Sequence, residues 1–160
     1  MEDRKIDNRK AKIAAVLLVL IIATAFGLRI RDAWRARTPL LTEVLLRGRT
    51  FTVEVADTEE KKERGLGRRD ALQPDRGMYF PFPSASRWVF WMKDMRFPID
   101  IVWIRDGTVI DIDAFVPVSQ SEDLETYSPV EPADAVLELN AGAVEDLGVR
   151  IGDQVLLRAL

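Results

Sequence analysis

Apolar and polar residues alternate along "EVLLRGRTFTVEVA", residues 43–56, where Phe51, Val53 and Val55 take one face and Thr52, Glu54 and Ala56 the other. A period of two marks a half-buried strand, and Arg47-Gly48-Arg49 between the two runs predicts a hairpin. Asp57 stands at an N-cap position with Glu60 three residues on, so "TEEKKER" is expected to form a short solvated helix stopped by Gly65. "PDRG" at 74–77 reads as a turn. The prolines of "MYFPFP" then predict a short strand or an edge strand, because proline has no N–H to give to a ladder.

"FWMKDMRFPIDIVWI", residues 90–104, predicts strand, turn and strand, and "RDGTVIDID" a further hairpin at Asp106-Gly107. Residues 117–133 hold Pro117, Pro129 and Pro132 without periodicity, the pattern of a long functional loop. After it come a strand "AVLEL", a short helix "AGAVEDL" with Asn140 as its expected cap and Gly148 as its stop, and a last strand "QVLL" beyond Gly152-Asp153. The order of elements predicts an α+β fold, mainly antiparallel β, as a twisted sheet or partly closed barrel with two short helices.

Residues 13–28, "IAAVLLVLIIATAFGL", carry no charge and follow a basic leader over residues 1–12. Sixteen helical residues span about 24 Å, lean against a hydrocarbon core of about 30 Å, unless Arg29 snorkels and Ile30 joins the span. The segment 13–30 is therefore expected to be a transmembrane anchor; the alternative is a signal peptide cleaved after the triplet ending at Ala25. With 31–42 as linker and 43–160 as a single domain, the expected location is the cytoplasmic membrane with the folded domain outside, or the periplasm or medium after cleavage. Membrane contact through residues 13–30 is the one partner the sequence itself names.

Charge divides at the same place. Residues 1–37 hold nine basic and four acidic groups, whereas the remainder holds fourteen basic and twenty-two acidic ones. An acidic domain argues against nucleic acid, which needs a clustered basic face. Cysteine and histidine are both absent, so disulfides, thiol nucleophiles, serine–histidine triads and the common zinc ligand sets are excluded. Nothing in the sequence implies a cofactor, and Asp111 and Asp113 lack the further oxygen ligands of a calcium loop, so their expected place is a solvated strand face.

"VEVADTEEKKERGLGRR", "RGMYFPFP", "FWMKDMRFPIDIVWI" and "VLELNAGAVEDLGVRIGDQV" occur here in an order that resembles the domain-of-unknown-function family 192 of bacteria and archaea. The likeness runs from about Phe51 to Leu156. It implies a compact β-rich α+β domain, often behind an export or anchoring segment, and it implies no activity. Gly67 stands where methionine is common in that family, and Asn140 where proline is common.

The chemistry of interest lies where charge interrupts apolar strands. In an extended "WVFWMK", Trp88, Phe90 and Met92 share one face, and Val89, Trp91 and Lys93 the other. Asp100 falls on the apolar face of Val102 and Ile104. Lys93 and Asp100 are expected to meet across the turn between them and to shape a concave site beside Trp91. The alternative for Asp100 is a carboxylate that accepts backbone N–H bonds. Trp88, Trp91 and Trp103 can serve as core or as stacking platforms.

The candidate ligand-binding residues are Trp91, Lys93, Asp94, Asp100 and Arg64. The expected function is a non-catalytic module binding a small polar ligand, glycan or protein segment at the cell envelope. The alternative is a hydrolase of envelope carbohydrate using two of Glu54, Asp94 and Asp100.

Overall fold

The computed structural model describes residues 40–119 and 125–159, so the expected anchor and leader lie outside the described residues. Strands β1 (Leu40–Leu46) and β2 (Arg49–Val55) pair antiparallel in the expected register, with Val44 facing Phe51. Arg47 and Gly48 both take positive φ, 51° and 80°, as a tight turn of matching twist demands. Helix α1 follows (Glu59–Arg64), then β3 (Arg76–Ser86), β4 (Phe90–Trp91), β5 (Ile99–Arg105), β6 (Thr108–Val116), β7 (Thr126–Tyr127), β8 (Ala133–Asn140), helix α2 (Ala143–Leu147) and β9 (Val155–Ala159).

Seven strands form one sheet in the order β6-β5-β8-β3-β2-β1-β9, antiparallel except between β2 and β3. The sheet curls into a half-barrel. At one end its two edge strands approach, through a bridge between Thr108 and Gln154 and a bond from Val109 N–H to the Asp153 carbonyl at 2.9 Å. The concave and convex faces are both buried: Phe51, Val53, Val102, Leu137 and Leu139 pack on one side, and Met78, Phe80, Ile101, Trp103 and Val136 on the other.

Several local expectations change. The prolines do not confine β3 to an edge, for it lies between β2 and β8. Thr52 and Ala56 of the β2 segment donate to the carbonyls of Asp75 and Tyr79, so odd-numbered residues of β3 face β2. Pro81 and Pro83 continue that series just past the point where β2 ends, and their missing N–H groups leave no partner bereft. The extended run expected around "FWMK" is cut to two paired residues, joined to Thr126 and Tyr127 in a separate small sheet.

Both expected caps move as well. Thr58, not Asp57, caps α1 by accepting from the Lys61 N–H at 3.3 Å, while Asp57 pairs with the Lys61 ammonium at 2.6 Å. The cap of α2 is Gly142, and Asn140 instead donates its amide to the carbonyls of Leu72 and Gln73. Asp111 and Asp113 are not simply solvated. Asp113 accepts from the Trp103 indole N–H at 2.7 Å, and Asp111 accepts from the backbone N–H of Ile112 and of Val130, both at 2.9 Å. Burial pushes the Asp113 carboxyl above its ordinary range, against the pull of the indole bond.

Candidate functional site

Trp88, Phe90 and Met92 turn inward and Val89, Trp91 and Lys93 outward, as strand alternation requires. The inward set builds a rigid wall. Trp88 stacks on Phe82 with ring centres 3.9 Å apart and planes 13° from parallel, and its indole N–H is fixed on the Ala133 carbonyl at 3.0 Å. Phe90 meets Phe80 and Trp103 edge-on, at 5.1 Å and 5.3 Å. Phe82, Trp88 and Phe90, with Trp91 and with Gly65 and Leu66 after α1, bound a cavity of about 350 Å³.

Charges ring its mouth. Lys62 lies over the Phe82 ring at 4.9 Å and pairs with Glu59; Lys93 lies over Trp91 at 5.8 Å. Arg64, paired with Glu60, also lines the opening. The floor is Glu138. On β8 it shares the face of Val136, between Met78 on β3 and Ile101 on β5, all of them buried.

Glu138 itself is only 6% exposed, and its Oε2 has no hydrogen-bond partner among the described residues. Removal from water pushes its carboxyl up to about 8, since burial disfavours the charged form. The nearby Arg69 charge opposes that shift, but its guanidinium is committed to Glu54, which it clamps with two bonds and holds below the ordinary carboxylate range. Position 65 adjoins the carboxyl: a Cβ there would lie in ordinary van der Waals contact, 3.7 Å from Glu138 Oε2, and it is the φ of 51° that favours glycine.

The five residues expected from the sequence divide accordingly. Trp91, Lys93 and Arg64 line the cavity. Asp94 lines an adjoining cleft of about 270 Å³ with Arg64, Arg68 and Lys93, and is bonded to Arg68 at 3.0 Å. Gly67 packs beneath it, where a Cβ would stand 3.2 Å from the Lys93 carbonyl.

Asp100 is elsewhere, and the expected Lys93–Asp100 pair does not form. Fully buried, Asp100 accepts the Phe115 N–H on one oxygen at 2.8 Å and the Val144 N–H on the other at 2.9 Å. Gly142 has no side chain to cap α2, and Asp100 reaches across from β5 to satisfy the second residue of that helix. Nor do the acids of the hydrolase reading share a cleft: Glu54 lines one, Asp94 another, and Asp100 neither.

Glu138 went unnamed, although "AVLEL" places a lone acid in an apolar strand just as "IDIVWI" does. The same signal that singled out Asp100 would have found it.

Residues 42–157 match the family DUF192, described as "Uncharacterized ACR". The chain belongs to DUF192. Two crystal structures share its fold. One is of a Sinorhizobium meliloti 1021 protein described as a candidate transcription regulator, 37% identical, aligned over 75% of this chain and 95% of that one with a TM-score of 0.67. The other is of a Novosphingobium aromaticivorans DSM 12444 protein of unknown function, 30% identical over 72% of this chain and 84% of that one, with a TM-score of 0.66. No curated protein matches this DUF192 chain.

Proposed function

We propose that this DUF192 domain is a non-catalytic module that binds a small polar ligand, glycan or protein segment in the cavity beside α1, at the cell envelope. One observation carries the reading. A buried carboxyl, one oxygen of which has no partner among the described residues, closes the floor of a cavity walled by packed aromatic rings. An unsatisfied buried polar atom costs about 1–3 kcal/mol, and a ligand that bonds to it recovers that cost. Apolar walls with a few placed polar groups are what small-molecule sites require.

Envelope placement rests on the uncharged run at 13–28 and its basic flanks. The regulator description of the Sinorhizobium relative does not draw this chain toward DNA, because residues 38–160 carry fourteen basic against twenty-two acidic groups.

Tryptophan fluorescence of the full-length protein against a panel of sugars, amino acids and short peptides tests the binding reading. At least one class should quench or shift the emission saturably in wild type and fail to do so in Glu138→Leu with Trp91→Ala. Absence of any saturable response across the panel would refute it. Sedimentation with membranes tests the location, and an intact mass corresponding to a chain from Phe26 would establish cleavage instead.

The alternative, a carboxylate hydrolase, draws support from one fact. Glu138 keeps its proton at neutral pH, as a general acid must. Its partner carboxylate would then come from Glu59 or Glu63 at the mouth. Release of reducing sugar from envelope polysaccharide, lost in Glu138→Gln, would establish hydrolysis.

A further inference from the structure

We propose that the ligand of this cavity is an acidic sugar, a hydroxylated ring carrying a carboxylate or phosphate, held with its ring on the tryptophan wall, one hydroxyl on Glu138 and its anionic group beside Lys93. The inference rests on the binding reading above and narrows it to one chemical class.

Three separate features point there. The wall comes first. Trp88, backed by its stack on Phe82, and Trp91, 44% exposed, line the cavity with indole rings whose negative π-charge suits the weakly positive C–H face of a sugar ring. A cavity of about 350 Å³ holds one ring and its substituents rather than a folded partner.

The floor comes second. Near neutral pH Glu138 is a neutral carboxyl, able both to donate and to accept. A hydroxyl can do the same, so a sugar hydroxyl can bond to the Glu138 carboxyl, which lines the cavity, in either sense. An ammonium group would suit an ionised floor, yet it would have to pass Lys62, Arg64 and Lys93 at the mouth.

The mouth comes third. With Glu138 neutral, the charged lining consists of Lys62, Arg64 and Lys93 against Glu59 and Glu63. Lys62 and Arg64 each have a carboxylate partner on α1. Lys93 enters no ion pair among the described residues and faces both the cavity and the adjoining Arg68-lined cleft. It is the cation best placed to take a new anion.

Calorimetric titration of the full-length protein in detergent with glucuronate, glucose 6-phosphate, glucose and inorganic phosphate tests the proposal. One of the two acidic sugars should bind about tenfold tighter than glucose, since a charge-assisted bond is at stake, and phosphate alone should bind weakly for want of the ring. Which of the two wins tells carboxylate from phosphate. Lys93→Met should erase the preference, so that glucose and the acidic sugars bind the variant with equal affinity. Affinity in wild type should fall as pH rises through about 8, where Glu138 loses the proton, and Glu138→Gln should remove that dependence.

Equal binding of glucose and both acidic sugars would overturn the anionic part, and a pH-independent wild type would overturn the role of Glu138. If no sugar binds while an amino acid or peptide perturbs the same tryptophans, the sugar class is wrong and the binding reading stands. If nothing binds, both fail.

Discussion

Glu138 and Asp100 are both acids set into apolar strands, and their surroundings make opposite use of them. Asp100 has each oxygen taken by a backbone N–H, while Glu138 has one oxygen without a partner among the described residues. For Asp100 the consequence is structural. Asp100→Ala strands the buried Val144 N–H and the part-buried Phe115 N–H and should cost on the order of 3 kcal/mol. Lys93→Met, at an exposed residue, should change stability by no more than about 0.5 kcal/mol. Denaturant unfolding of the singles and the double should be additive within about 0.5 kcal/mol, and a larger coupling would show that the two charges interact after all.

For Glu138 the consequence is a pH dependence with a definite sign. Its folded-state value, about 8, lies above the ordinary 4.5, so between these the unfolded chain gives up a proton that the folded chain keeps. Its contribution to stability is therefore whole below about 4.5 and declines as pH climbs to about 8. Wild type should lose a few kcal/mol over that window in denaturant melts at stepped pH. Glu138→Gln should flatten the decline and be the more stable protein at pH 9; an unchanged slope would assign the dependence to other groups.

At the scale of elements, the half-barrel depends on close approach between β3 and β8. A Cβ at Gly77 would lie 2.6 Å from the Glu138 carbonyl and 2.9 Å from Leu139. The contact is with backbone, which cannot swing aside. Gly77→Ala should thus cost about 2 kcal/mol or more and disturb the cavity floor at the same time. Gly48→Ala is the contrast, since nothing lies within 4 Å and only the φ of 80° resists, for about 1 kcal/mol. Thermal melts of the two variants rank these costs. The reverse order would place the tight spot in the hairpin instead.

The elements also show where sequence patterns carry and where they stop. The β1–β2 hairpin, the turn at Asp106-Gly107 and the glycine stop of α1 were readable because each depends on neighbours in the chain. The position of β3 was not. Two prolines in six residues argue for an edge, and only the early end of β2 makes an interior place tolerable.

At the scale of the whole molecule, Leu40–Leu160 forms one compact unit with its own core, and residues 40–160 should unfold cooperatively without the preceding segment. A broad urea transition of that fragment, unlike a sharp one, would show that the core is incomplete. Periodicity by itself determined the β-rich class and the inward and outward faces of Trp88–Lys93, and composition determined the exclusion of thiol and imidazole chemistry, since these follow from residue type and from neighbours a few positions apart. The structure brings Trp91, Lys93 and Arg64, three residues singled out from the sequence, to the lining of one cavity. What only the tertiary structure decided was which acid lines that cavity. Asp100 and Glu138 look alike in sequence, each a lone carboxyl among aliphatics. The difference lies in whether distant chain, the backbone of Phe115 and Val144 for one and the α1 end at Gly65 for the other, brings donors to the carboxyl or, among the described residues, leaves one buried oxygen without a partner.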